Sequence, residues 1–263
     1  MRYDSLPSEL TDIPQWVCVW NSSKIPMQSA SRLAASSSEP STWSDFATAK
    51  QAVSSGKYDH VGFVFNNNGI VGIDIDRGFD QNGFLSKLSI DIMSHCRSYT
   101  EKSRSGRGIH VLLKGKLPFR GRNNGSGVEI YQSGRYFIMT GETLVFPEII
   151  ENQEAIDYIV QTYFPETVSN MTDRPLNRIY SPVYLPPQDG KVFLRPDYPP
   201  IVDGSRNNSL ASLAGQLHTL GYQKEDIYKE ICYANQTACH PPLPDREIMA
   251  IVNSITCLLY TSD

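Results

Sequence analysis

Cysteine, long apolar runs and net positive charge are all scarce in this sequence. The five cysteines are Cys18, Cys96, Cys232, Cys239 and Cys257. Their number is odd and no pair has C-x-x-C spacing, so neither a disulfide framework nor a zinc site is indicated. Cys232, Cys239 and His240 lie close together, but they read as apolar helix positions followed by a loop. No apolar stretch approaches the ~20 residues needed to cross a bilayer. The first ten residues lack the apolar segment of a signal peptide. A soluble cytoplasmic protein with no membrane partner is therefore expected. The formal charge of −4 and the pI near 5.8 give no sign of a nucleic-acid binder from the average alone. No G-x-x-x-x-G-K-[ST] loop is present, which excludes a P-loop within these residues.

What is present is enough apolar material, 40% of 263 residues, for one large core or a medium and a small one. Ile13 to Trp20 reads as a short strand, and the Ser-rich stretch from Ser29 to Ser41 as a loop. Thr42 is expected to cap a helix that carries Phe46, Ala49 and Val53 on one face and stops at Gly56. His60–Phe65 and Gly69–Asp76 flank Asn-Asn-Asn-Gly, which predicts a hairpin. A helix over 85–97, strands over 108–113, 127–131 and 136–140, and a helix over 151–164 complete a mixed core. Seven prolines between Thr172 and Pro200 predict a semi-rigid linker. Beyond it, Leu210, Leu213, Ala214, Leu217 and Leu220 have helical spacing, with Asn207 or Asn208 as cap. Ile227 and Ile231 mark a second helix. Asp245 is expected to cap a third, with Ile248, Ile251, Val252 and Ile255 inward. The expected fold is α+β, with a core over 1–165, a linker over 166–203 and an all-α bundle over 204–256. The tail, 257–263, ends without a stop signal and is read as non-native or truncated.

Chemistry begins at Ile70-Val-Gly-Ile-Asp-Ile-Asp76. Asp74 and Asp76 point to one face of a strand, and two adjacent carboxylates repel unless a cation lies between them. Oxygen ligands suit Mg²⁺ or Mn²⁺. A D-x-D pair at a strand end is also found as a solvated edge. Here the apolar lead-in, Ile70, Val71, Ile73 and Ile75, argues for a buried strand where unpaired acids are costly.

Next comes Thr100-Glu-Lys-Ser-Arg-Ser-Gly-Arg-Gly-Ile-His110. Gly106 and Gly108 allow close backbone approach to an anion. Lys102, Ser103, Ser105 and Arg107 add donors and positive charge, and His110 enters the following strand. The alternative is a plain Gly/Ser/Arg hairpin loop. Glu129, between apolar neighbours, is either a solvent-facing strand residue or a third carboxylate. Arg135 follows Gly134 and is either a surface residue or a phosphate contact.

Charge is unevenly spread. From Arg97 to Tyr136 there are nine basic residues, among them Lys102, Arg104, Lys114, Lys116, Arg120 and Arg122, against the two acids Glu101 and Glu129. A local excess of seven positive charges in a chain of net −4 is the footprint of a polyanion.

The order of these pieces, an Asp-x-Asp strand, a Ser-x-Ser-Gly-x-Gly-x-His loop and a strand with an acid, resembles the archaeo-eukaryotic primase superfamily. The likeness is to the primase–polymerases of phages and plasmids, and covers about residues 10–165. The segment Gly204-Ser-Arg-Asn-Asn-Ser-Leu210, with Asn235, Cys239-His-Pro-Pro-Leu243 and Glu247 to Ile255, is similar to the helical primase C-terminal domain that follows such cores. The resemblance implies an α/β layer joined to an RRM-like sheet, acting by two-metal nucleotidyl transfer. It implies that Asp74, Asp76 and Glu129 bind two divalent cations, Mg²⁺ or Mn²⁺. Ser103, Ser105, Gly106, Arg107 and His110 would hold the nucleotide triphosphate, with Arg135 nearby, and His110 would also serve catalysis. Glu at the third acid departs from the aspartate common in the superfamily. Single-stranded DNA template, primer and nucleotides are the implied partners. A replicative helicase would act in cis or in trans, in a bacterial or phage-infected cell. Lys102, Arg104, Lys114, Lys116, Arg120 and Arg122 are the candidate DNA contacts. Tyr131 and Tyr136 are candidates near the sugar. Trp16, Trp20 and Trp43 fit buried packing better than base stacking. A metal-dependent nuclease using the same acids, and a non-catalytic replication-initiation module binding through the helical bundle, are the two other readings.

Overall fold

A computed structural model of the chain describes residues 3–81, 83–125, 127–167, 198 and 200–256. The elements run α1 (Ser8–Thr11), β1 (Trp16–Val19), α2 (Phe46–Ser54), β2 (His60–Asn66), β3 (Ile70–Ile75), α3 (Lys87–Cys96), β4 (Thr100–Lys102), β5 (Ile109–Lys114), β6 (Gly121–Asn123), β7 (Val128–Tyr131), β8 (Ser133–Met139), α4 (Gln153–Tyr163), α5 (Arg206–Thr219), α6 (Lys224–Ala238) and α7 (Asp245–Thr256). The result is a mixed α/β chain with antiparallel sheets and a C-terminal helical region, as expected from the sequence. The expected linker falls mostly, and the tail entirely, outside the described residues.

Two compact units emerge. One comprises Met1–Gly78 and His95–Leu176, the other Phe79–Ser94 and Asn177–Asp263. The second unit groups Phe79–Ser94 with the C-terminal helices, where the sequence reading kept it in the core. Within that unit the Leu85 N–H donates to Gln216 Oε1 at 3.2 Å, and the rings of Phe84 and Tyr198 lie 6.1 Å apart.

The first unit holds two sheets, β1-β2-β8 and β4-β5-β3-β7-β6, every pairing antiparallel. The expected β2–β3 hairpin is corrected here: the two strands join different sheets. Asn67 and Gly69 have φ of 55° and 88°, and they redirect the chain between the strands. The reason is burial. Six of the seven residues of β2, and five of the six of β3, are buried. Each strand therefore needs a partner on both edges and cover on both faces, which one shared hairpin does not supply.

Aromatic rings run through the core in sequence of contact. Trp16 meets Phe63 at 5.3 Å, Phe63 meets Phe65 at 5.6 Å, Phe65 meets Phe137 at 4.8 Å, and Phe137 meets His110 at 4.8 Å. Such edge and stacked contacts add to the burial of the rings themselves. Gly72 of β3 makes room for them: a Cβ there would sit 2.2 Å from Phe65 Cζ and 2.7 Å from Phe137 Cε2. Trp16 is fully buried, and its indole N–H donates to the Leu10 carbonyl.

Helix starts differ from the sequence reading by one to three residues. Asp45, not Thr42, caps α2, accepting from the Thr48 N–H at 2.7 Å, while Pro40–Thr42 form a 3₁₀ turn. Proline fixes that turn before the helix and leaves the next acid to cap it. Asn207 and Asn208 lie inside α5, whose cap is Ser205. Asp245 is the first residue of α7, one place inside its expected cap position.

Candidate active site

The register of the five-stranded sheet brings polar residues into one row. Glu101 of β4 lies opposite His110 of β5, His110 opposite Asp74 of β3, Asp74 opposite Glu129 of β7, and Glu129 opposite Asn123 of β6. Residues directly opposite across a ladder share a face. On β3 that same face carries Gly72, then Asp74, then Asp76 just beyond the strand. At Gly72 it is packed under Phe65 and Phe137 of the other sheet. Two residues on, it opens into a cavity of about 380 Å³. Asp74, Asp76, Ser103, Arg104, Ser105 and His110 line one side, and Arg135 to Ile138 of β8 line another. Asp76 continues the ladder through its N–H, which donates to the Gly127 carbonyl at 3.0 Å.

Burial pushes the Asp74 carboxyl above the ordinary aspartate range. The neighbouring Asp76 and Glu129 carboxylates act in the same direction, while His110 and Arg135 oppose them. Its Oδ1 lies 3.9 Å from His110 Nε2. For His110, burial alone would lower the pKa. The hydrogen bond to Glu101 and the charges of Asp74 and Glu101 outweigh burial, and the imidazole ends above the ordinary histidine range. Asp74 is thus a hard oxygen donor whose charged form is disfavoured by burial and by the neighbouring carboxylates. A divalent cation would remove that penalty, and Asp76 supplies a second oxygen donor on the same face.

Glu129 is differently placed. Its carboxylate accepts from Asn123 Nδ2 at 2.7 Å and from Arg135 Nη2 at 3.0 Å. Among the described residues, no three His, Cys, Asp or Glu side chains stand close enough together to hold a metal ion. The sheet therefore aligns the three acids of the sequence reading, and Arg135 and Asn123 engage the third.

The loop between β4 and β5 is closed on itself. The Ser103 N–H donates to the Gly108 carbonyl at 2.8 Å, and the Gly106 N–H to the Ser103 carbonyl at 2.9 Å. The N–H groups of Arg107 and Gly108 donate to Ser105 Oγ and Ser103 Oγ. The amides that the sequence reading offered to an anion are thus used within the loop, and the side chains of Ser103, Arg104 and Ser105 face the cavity instead. Arg107 and Gly106 do not line it. Gly108 is required for close approach: a Cβ would meet the Ile75 carbonyl oxygen at 2.9 Å.

The remaining candidates separate. Lys102 pairs with Glu142 at 4.0 Å and Lys114 with Glu9 at 3.7 Å. Lys116 and Arg120 line a different hollow, and Arg122 lies 5.7 Å from the Phe119 ring. Tyr136 lines the cavity, and Tyr131 lies under Arg135 at 5.0 Å.

Two features escaped the sequence reading. The Ser-rich loop supplies part of the cavity wall through Ser37, beside Lys24 and Pro26 from the chain before it, with Ser37 Oγ donating to the Gly134 carbonyl at 3.0 Å. Glu101, counted there only as a charge, is fully buried and accepts from His110 Nδ1 at 2.9 Å. A hairpin over Thr100–Lys102 and Ile109–Lys114 would have paired it with His110 by register.

Residues 197–256 match the family described as Primase C terminal 1 (PriCT-1). The C-terminal helices resemble a primase C-terminal domain. In this matched segment α5, α6 and α7 each pack on the other two, and Leu210, Leu213, Leu217, Ile227, Ile231, Ile248 and Val252 are buried. Asn235 of α6 pins the loop after it, donating to the Leu243 carbonyl at 2.9 Å and accepting from the Leu243 N–H at 2.8 Å. Across 143 residues the chain is 34% identical to the DNA primase-polymerase of Nitratiruptor phage NrS-1. That alignment covers 51% of this chain, and the chain spans 20% of the phage protein. The two findings support the resemblance to phage-type primase–polymerases.

Proposed function

We propose that this chain carries the nucleotidyl-transfer centre of a DNA primase–polymerase, followed by its helical primase domain. The observation that carries this reading is the cavity that joins Asp74 and Asp76 to His110, Ser103, Ser105, Arg104 and Arg135. Carboxylates and several phosphate-binding donors around one cavity suit a triphosphate better than a single scissile phosphate. The likeness to a protein named DNA primase-polymerase points the same way.

Asp74 and Asp76 are the residues that would hold divalent cations, with Glu129 as the third carboxylate. Mg²⁺ or Mn²⁺ bound there supplies charge neutralisation and lowers the pKa of the attacking 3′-hydroxyl. The protein's own part is positioning. Ser103 and Ser105 offer hydroxyl donors and Arg104 a charged one to phosphate oxygens. His110 lines the same cavity, with its Nε2 3.9 Å from Asp74 Oδ1. Arg135, held at 3.0 Å by Glu129, reaches the same space from β8. Tyr136 forms wall beside it and is the candidate near the sugar. A single-stranded DNA template, a primer and nucleoside triphosphates are the substrates, and a replicative helicase the partner in the cell.

Primer extension on single-stranded DNA with Mg²⁺ or Mn²⁺ tests the reading. Asp74→Asn is expected to cut incorporation at least about a hundredfold. Metal ions contribute several kcal/mol to such steps, and each 1.4 kcal/mol is a factor of ten. Full activity in Asp74→Asn, or DNA degradation without triphosphates by the wild type, would overturn it.

A further inference from the structure

Glu101 has no exposed surface, and none of the roles assigned above uses it. Its Oε1 faces the His110 Nδ1 at 2.9 Å and the Thr140 N–H at 3.1 Å. Its Oε2 accepts from the Tyr99 hydroxyl at 2.9 Å, the Gly141 N–H at 2.9 Å and the Thr140 N–H at 3.1 Å. A buried carboxylate with this many donors is fully satisfied and rigidly placed. It is held from three directions: by β4 itself, by Tyr99 beside it, and by the turn after β8.

We infer that Glu101 is a positioning residue for the transfer reaction, fixing which nitrogen of His110 serves the cavity. In its neutral form an imidazole has two tautomers, and the hydrogen bond at one nitrogen decides the role of the other; in its charged form both nitrogens carry protons, and the bond from Nδ1 still fixes the ring. A carboxylate only accepts, so Nδ1 must carry a proton to bond to it. Nε2 is then the nitrogen left toward Asp74, 3.9 Å away, and toward any phosphate in the cavity. Phe137 fixes the ring plane, stacking on it at 4.8 Å and 22°. Together the two contacts set both tilt and tautomer before a nucleotide arrives. Carboxylate partners orient histidines in metal sites by the same physics.

Glutamine at this position makes the idea testable because it exchanges one acceptor for a donor. The Gly141 and Thr140 amides cannot become acceptors, so the new NH₂ must face His110. The imidazole can meet that donor only by leaving Nδ1 unprotonated, which moves the proton to Nε2 or turns the ring. The experiment uses the full chain labelled with ¹⁵N-histidine, as wild type, Glu101→Gln and Tyr99→Phe. Tyr99→Phe removes one donor from Oε2 and introduces no new polar group, so it serves if Glu101→Gln fails to fold. The expected result is a protonated Nδ1 in the wild type, an unprotonated Nδ1 in Glu101→Gln, and a weakened Nδ1–H hydrogen bond in Tyr99→Phe. In primer extension, Glu101→Gln should raise the KM for the incoming nucleotide by about 10- to 100-fold, the usual cost of losing such a partner, with primed-DNA affinity unchanged. Tyr99→Phe should move KM the same way by less. The kinetic arm rests on the primase–polymerase reading; the nitrogen spectra do not. Wild-type protein that incorporates no nucleotide, yet shows the tautomer change, overturns the reading and leaves the Glu101–His110 lock in place. An unprotonated Nδ1 in the wild type, or spectra and KM unmoved in both variants, overturns the lock.

Discussion

Gly72 decides more than its own conformation. It is the point where β3 passes beneath Phe65 and Phe137, and a methyl group there would lie 2.2 Å from a ring carbon. Both rings are buried in the first unit's core and have no room to withdraw. Gly72→Val should therefore cost roughly 3 kcal/mol, the upper range for overpacking a closed core, read as a lower midpoint in urea. Gly134→Ala provides the contrast. Nothing lies within 4 Å of a Cβ there, and only its φ of 71° resists substitution, for about 1 kcal/mol. Equal losses at the two glycines would remove the packing argument. The same residue scale explains what could be read directly. Asp74 and Asp76 were legible because acids after an apolar run conflict with burial. Glu101 was not, because a lone acid in a basic loop looks like charge balance until pairing places it opposite His110.

At the scale of the element, α2 shows how a local rule works once its residue is identified. Asp45 takes the cap through both the Thr48 N–H at 2.7 Å and the Thr48 hydroxyl at 3.1 Å. These bonds, the backbone one first, hold its carboxyl below the usual aspartate range. A depressed folded-state pKa contributes stability above the unfolded value, near pH 4, and that contribution is lost as pH falls through the folded value. Asp45→Ala should then cost about 1 kcal/mol at pH 7 and distinctly less below pH 4. A cost independent of pH would show that the charge of Asp45 is irrelevant to the cap. Periodicity foretold that this helix exists but mistook where it begins, because Pro40–Thr42 turn first. The β2–β3 turn was misread for another reason. Asn-Asn-Asn-Gly does bend the chain, but turn chemistry does not say whether the two strands then pair. Burial on both faces of each strand decided that, and burial is a property of the whole core.

For the whole molecule, the charge map divides the basic residues by partner. Lys102, Lys114 and Arg135 each face a carboxylate within 4.0 Å. Lys116, Arg120 and Arg122 are exposed, and no acidic side chain of the described residues lies within that distance of them. Gln132 fixes the loop that bears two of them, bonding to the Leu117 N–H and carbonyl and to the Phe119 carbonyl. These three cations are free to release counterions from a strand. Replacing all three by alanine should lower the salt dependence of single-stranded DNA binding by about two units of log–log slope, at ~0.7 per phosphate contact. An unchanged slope, measured by fluorescence anisotropy across salt concentrations, would exclude the loop from the strand's path.

The pairing of β2 with β8 has a consequence in time. Val61 meets Met139 and Phe65 meets Arg135, partners separated by roughly seventy to eighty positions in the chain. Contacts at such separation form slowly, because the intervening loop must close before they return any energy. During synthesis, Asp74 leaves the ribosome long before Arg135 does. The nascent chain carries its acidic strand without the opposite wall of the cavity, and the proposed nucleotide site comes into being as one of the last acts of folding.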